Sequence, residues 1–69
     1  MKKGGKKVKN LIKLRKEAKM TQTQLAEKVG VNSNTISQYE LGKREPNLEI
    51  LKKITQVLDC SIDDLVKEG

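Results

Sequence analysis

MTQTQLAEKVGVNSNTISQYELGKREPNLEIL, residues 20–51, holds three helix starts and two helix stops in close succession. Thr21 is a good N-cap, Gln24 three residues on completes a capping box, and Met20 is placed to staple against Leu25. The spacing therefore predicts a helix over Gln22–Val29. Gly30 supplies the left-handed residue that ends it. Asn32 is itself an N-cap, with Val31 placed to staple against Ile36, so a further helix runs over Ser33–Leu41 and stops at Gly42. Lys43, Arg44, Glu45 and Pro46 form a loop before Asn47 caps the next helix. Two helices joined by so short a turn are expected to cross at a wide angle. Ala26, four residues before Gly30, lets them approach closely. Leu25, Val29, Val31, Ile36 and Tyr39 give one apolar seam across both. The pair is a helix-turn-helix.

Outward from this pair, Asn10 opens an earlier helix, with Leu11, Leu14 and Ala18 at three- and four-residue spacing and Lys13, Lys16, Glu17 and Lys19 opposite. After Asn47, a fourth helix carries Leu48, Leu51, Ile54 and Leu58 on one stripe, widened by Ile50 and Val57. Ser61 and Asp64 mark a last capping-box start, opening a short fifth helix with Ile62, Leu65 and Val66. Neither two-residue alternation nor a hairpin turn occurs, so the fold class is all-α with five helices. Residues 1–9, with Lys2, Lys3, Lys6, Lys7, Lys9 and two glycines, read as a flexible basic arm; residues 10–69 read as the packed domain.

A chain of 69 residues supports one small core. A single cysteine and no histidine leave no intramolecular disulfide and no usual zinc ligand set, so no metal or other cofactor is expected. Cys60 reads as packing. Asp59, Asp63 and Asp64 sit at a helix start, where carboxylates complement the helix dipole. No nucleophile with a base and no glycine-rich phosphate loop is found, so the chain is not expected to be an enzyme. No apolar run approaches twenty residues, and the expectation is a cytoplasmic protein with no membrane partner. The net charge of +6 favours a polyanion. Tyr39 is the sole aromatic, so stacking on single strands has almost nothing to work with, and hydrogen bonding to a duplex remains.

With Ile36 and Tyr39 turned to the core, the third helix leaves Ser33, Asn34, Thr35, Ser37 and Gln38 outward, none of them charged. Amides and hydroxyls donate and accept toward base edges, and Asn and Gln suit adenine in particular. Ser33, Asn34 and Gln38 are the expected base contacts. Asn32, Thr35, Lys43 and Arg44 surround them and are expected to hold phosphates, Asn32 after its capping role.

The quoted stretch resembles the Cro and repressor helix-turn-helix family of lambdoid phages and bacterial regulators, over roughly residues 10–67. The resemblance is carried by Thr21, Gln22, Leu25, Ala26, Gly30, Ile36, Glu40, Gly42 and Pro46. It implies a five-helix, lambda-repressor-like domain that binds double-stranded operator DNA, typically as a twofold dimer. It implies that Gln22 touches the DNA backbone and braces the reading helix. It further implies a structural ion pair between Arg15 and Glu40. The functional expectation is a transcriptional regulator, in particular a repressor, acting as a homodimer through the fifth helix and the loop before it, where Ile62, Val66 and Val57 offer apolar surface. The rival expectation is an antitoxin-type module that holds a protein partner and binds DNA to regulate itself.

Overall fold

The computed structural model of the protein describes residues 7–67, and it places five helices in sequence: α1 (Leu11–Glu17), α2 (Gln22–Val29), α3 (Ser33–Leu41), α4 (Leu48–Leu58) and α5 (Ile62–Val66). No strand occurs among the described residues. The caps read from the sequence are made. Thr21 Oγ1 accepts from the Gln24 N–H at 3.0 Å while Gln24 Oε1 accepts from the Thr21 N–H at 2.9 Å. Ser61 and Asp64 form the same reciprocal box at the start of α5. Asn32 and Asn47 cap α3 and α4 through their side-chain oxygens.

The ends of the helices share one device that the glycines only half reveal. Gly30 and Gly42 take φ of 93° and 78°, but Lys19 and Asp59 also turn left-handed, at 60° and 56°. In each case the N–H of the following residue bonds back across five positions: Met20 to Arg15, Val31 to Ala26, Lys43 to Gln38 and Cys60 to Thr55. This closure satisfies carbonyls that the last helical turn leaves open. It is what allows α1 to turn into α2, and α2 into α3, within a few residues.

The core is formed by Leu11, Leu25, Val29, Ile36, Ile54 and Leu65, all fully buried, with Ala26, Tyr39 and Leu51 beside them. α2 packs most extensively on α3 and next on α4, and α5 closes the bundle against α1 and α4. Pro46 is also fully buried and anchors the loop between α3 and α4.

Three readings of the sequence are corrected by the packing. Val8, assigned to the arm, is 2% exposed and belongs to the core. It is held there because Asn10 clasps α5, its backbone N–H donating to the Leu65 carbonyl at 3.0 Å and its Nδ2 to the Asp64 carbonyl at 2.9 Å. The rest of the expected arm, residues 1–6, lies outside the described residues. Ala18 is exposed, because α1 has already ended and the chain is turning at Lys19. Leu48 is 59% exposed. At about 100° per residue it lies some 120° round α4 from the buried Ile54, with Leu51 between them, so the stripe leaves it at the rim.

Candidate nucleic-acid interface

α3 is held by both ends and by its inner face. At its start, Asn32 Oδ1 accepts two bonds from Thr35, from the backbone N–H at 2.8 Å and from Oγ1 at 3.0 Å. At its end, the Gln38 carbonyl accepts the Lys43 N–H at 2.9 Å and the Arg44 N–H at 3.3 Å. These bonds tie the basic loop to the helix. On the inner face, beside Ile36 and Tyr39, Glu40 points back toward α1 and α2.

The Glu40 carboxylate is the hub that fixes α3. Arg15 Nε donates to Glu40 Oε2 at 2.5 Å, and the two side chains are 12% and 4% exposed. A second guanidinium nitrogen reaches Oε1 at 3.4 Å, and Nη1 donates to the Met20 carbonyl at 2.9 Å. Gln22 Nε2 donates to the same Oε1 at 2.8 Å. Three helices therefore meet at one carboxylate. Among the described residues no buried side-chain nitrogen or oxygen lacks a partner. A buried carboxylate whose donors come from two other helices resists rotation of its own helix.

The outer face follows from that anchoring. Ser33 and Asn34 are exposed and Ser37 and Gln38 are half-buried, all four outside the buried stripe of Ile36 and Tyr39. Thus the structure brings together the three residues expected to meet base edges. Lys43 and Arg44 are exposed in the loop beyond. Thr35 is half-buried and its hydroxyl proton is engaged by Asn32. A phosphate only accepts, so Thr35 would have to release that bond to donate to one. Asn32 keeps its Nδ2 donors, its oxygen alone being used in the cap.

Leu41 was given no role in the sequence reading, yet it is 65% exposed at the end of this same outer face. The signal was available. It stands seven residues after Asn34, which returns it to the same side of the helix.

Cys60 and the acidic residues around it do not form a second site. Burial, and then the carboxylates of Asp64 and Asp59, push the Cys60 thiol up from its ordinary range. The backbone N–H of Ser61 holds the Asp64 carboxyl below the usual carboxylate range. No group of three or more potential metal ligands is found among the described residues.

A short turn between two packed helices, with the second one pinned from behind and presenting an uncharged polar face, defines a helix-turn-helix protein. The helix-turn-helix family matches residues 11–65, and the chain belongs to it. It is 45% identical over 58 residues to the uncharacterized HTH-type transcriptional regulator YqaE of Bacillus subtilis, covering 84% of this chain and 50% of that protein. It is 43% identical over 53 residues to repressor protein C2 of Salmonella phage P22, covering 77% of this chain and 24% of that one. The chain thus spans half or less of the length of these relatives. The crystal structure of the P22 c2 repressor in complex with synthetic operator 9T superposes with a TM-score of 0.82 at 36% identity, covering 93% of this chain and 97% of that one. The five-helix architecture is that of a lambda-like repressor domain. No helix among the described residues is long and apolar enough to cross a membrane.

Proposed function

We propose that this protein is a transcriptional regulator, a repressor, that binds double-stranded DNA by laying α3 in the major groove. Ser33, Asn34 and Gln38 are assigned to base edges, and Gln22, Asn32, Lys43 and Arg44, with Thr35 in a lesser part, to the phosphates on either side. The observation that carries this reading is the Glu40 hub. It spends the helix's single carboxylate inward, on Arg15 and Gln22, and leaves an outer face of hydroxyls and amides on a fixed support. Side chains held on a rigid element discriminate among bases because they cannot adapt to the wrong one at little cost.

The first turns of α2 and α3 add backbone N–H groups that have no partner within the helix and favour an anion. The overlap with the P22 c2 repressor in its operator complex supports the same orientation. Function here is binding without catalysis, in the cytoplasm. Two copies are assigned to successive major grooves about 34 Å apart. Dimerisation is assigned to α5, where Ile62 and Val66, with Val57 of α4, are only partly buried.

Selection of bound duplexes from a random pool tests the reading directly. The expected outcome is a roughly palindromic consensus. Recovery of unrelated sequences with equal affinity would overturn it, and would leave only salt-sensitive coating of DNA. Sedimentation of Val66→Asp tests the dimer: an unchanged dimer removes α5 from the interface.

A further inference from the structure

We infer that Thr35 is a positioning residue for DNA binding: its hydroxyl and its backbone N–H together occupy the Asn32 side-chain oxygen and fix that amide as a donor-only group for a phosphate. This rests on the reading of α3 as the groove helix, and deepens it.

The chemistry of the two bonds dictates how the Asn32 amide is turned. The Thr35 N–H, 2.8 Å away, can only donate, so the atom facing it is Oδ1 and not Nδ2. The Thr35 hydroxyl, 3.0 Å from the same atom, must give its proton there, because an amide oxygen has none to offer. Both lone pairs of Oδ1 are thereby used. Nδ2 is left on the other side of the amide with two protons to donate. Asn32 is exposed and Thr35 half-buried, so the amide is open to a ligand while the residue that holds it lies deeper.

This lock separates two asparagines that look alike in the sequence. An asparagine reads adenine by donating to N7 while accepting from N6. With its oxygen occupied, Asn32 cannot make that pair. Asn34, two residues on and exposed, makes no side-chain hydrogen bond among the described residues and keeps both functions of its amide.

What Asn32 can hold is an acceptor. It stands at the start of α3, where the backbone N–H groups of Ser33 and Asn34 have no partner within the helix, and donors at a helix start favour an anion. A phosphate oxygen, charged and accepting only, fits that end better than the uncharged acceptors of base edges. The Thr35 hydroxyl has already given its proton, so its part in holding phosphate is exerted through Asn32.

The test uses the full chain and a duplex obtained by selection, with each phosphate replaced in turn by a methylphosphonate, which is neutral and lacks one oxygen. Asn32→Ser keeps a capping oxygen and removes the outward amide. Thr35→Val keeps the shape and the backbone N–H and removes the hydroxyl. Asn32→Ser should lose about tenfold in affinity per bound copy, the worth of one bond to a charged acceptor, and Thr35→Val about threefold. Both variants should cease to notice the methylphosphonate at the same single phosphate. Thr35→Val should cost nothing further in the Asn32→Ser chain, and Thr35→Ser should bind as the parent does. Losses that multiply, or sensitivity lost at two different phosphates, would mean that Thr35 meets DNA itself and would overturn the inference. So would Thr35→Val binding as tightly as the parent. A merely structural role would lower affinity in step with the thermal melt and single out no phosphate, which also overturns it. The reading of α3 would survive any of these failures if Asn34→Ala and Gln38→Ala still lost preference for the selected duplex.

Discussion

Gln22 and Glu40, eighteen residues apart, meet with Gln22 Nε2 donating to Glu40 Oε1 at 2.8 Å, so the first turn of α2 is bonded to the last turn of α3. Arg15 approaches the same carboxylate from α1. The contact explains how a turn of only a few residues can hold two helices at a fixed crossing: the chain joins them at one end and this carboxylate at the other.

Removing the hub should be costly. With both side chains largely desolvated, Glu40→Ala leaves the Arg15 guanidinium with only the Met20 carbonyl and should lower stability by about 3 kcal/mol. Urea denaturation measures this. Arg15→Met combined with Glu40→Leu should cost less than Glu40→Ala alone, because no unpaired charge is left buried. Equal losses would show that the pair is solvated.

Substitutions on the outer face should separate specificity from stability. Gln38→Ala and Asn34→Ala should each cost about 1 to 3 kcal/mol on the selected duplex and nearly nothing on random DNA. Titration against both duplexes decides it. A uniform loss on both would contradict base reading.

Lys43→Ala should behave in the opposite way, weakening all duplexes alike and reducing the slope of log affinity against log salt by about 1. Measurement of affinity across a salt series checks it.

The left-handed helix ends offer a prediction about stability alone. Lys19 holds φ of 60° without help from its residue type, so Lys19→Gly should stabilise the fold by about 1 kcal/mol. Gly30→Ala should destabilise it by a similar amount, through backbone strain alone, since an added Cβ at Gly30 meets nothing within 4 Å. Denaturant midpoints of the two variants should move in opposite directions.

The start of α5 should weaken in acid. The folded-state pKa of Asp64 is lowered from 3.8, first by the backbone N–H of Ser61. The stability it contributes is therefore fully present above 3.8, and is lost as pH falls through the lower folded value. A thermal melt series through that range should show Asp64→Asn less sensitive to acid than the parent chain.

The elements themselves were legible in the sequence because each is set by neighbours in the chain. Thr21 with Gln24, Asn32, Asn47 and Ser61 with Asp64 all cap within three residues, and Gly30 and Gly42 announce their own φ. The uncharged outer face of α3 was legible for the same reason, since it follows from which residues are apolar. Lys19 and Asp59 were not, because neither residue type favours a left-handed turn strongly enough to mark one.

The chain alone thus determined five helices, their order and the polar set on the third, through local hydrogen bonding and apolar periodicity. Only the tertiary structure decided that Val8 is core and that one carboxylate binds three helices together. Those outcomes depend on contacts between residues distant in the chain, such as Asn10 with Asp64 and Leu65, and no local pattern carries information about them.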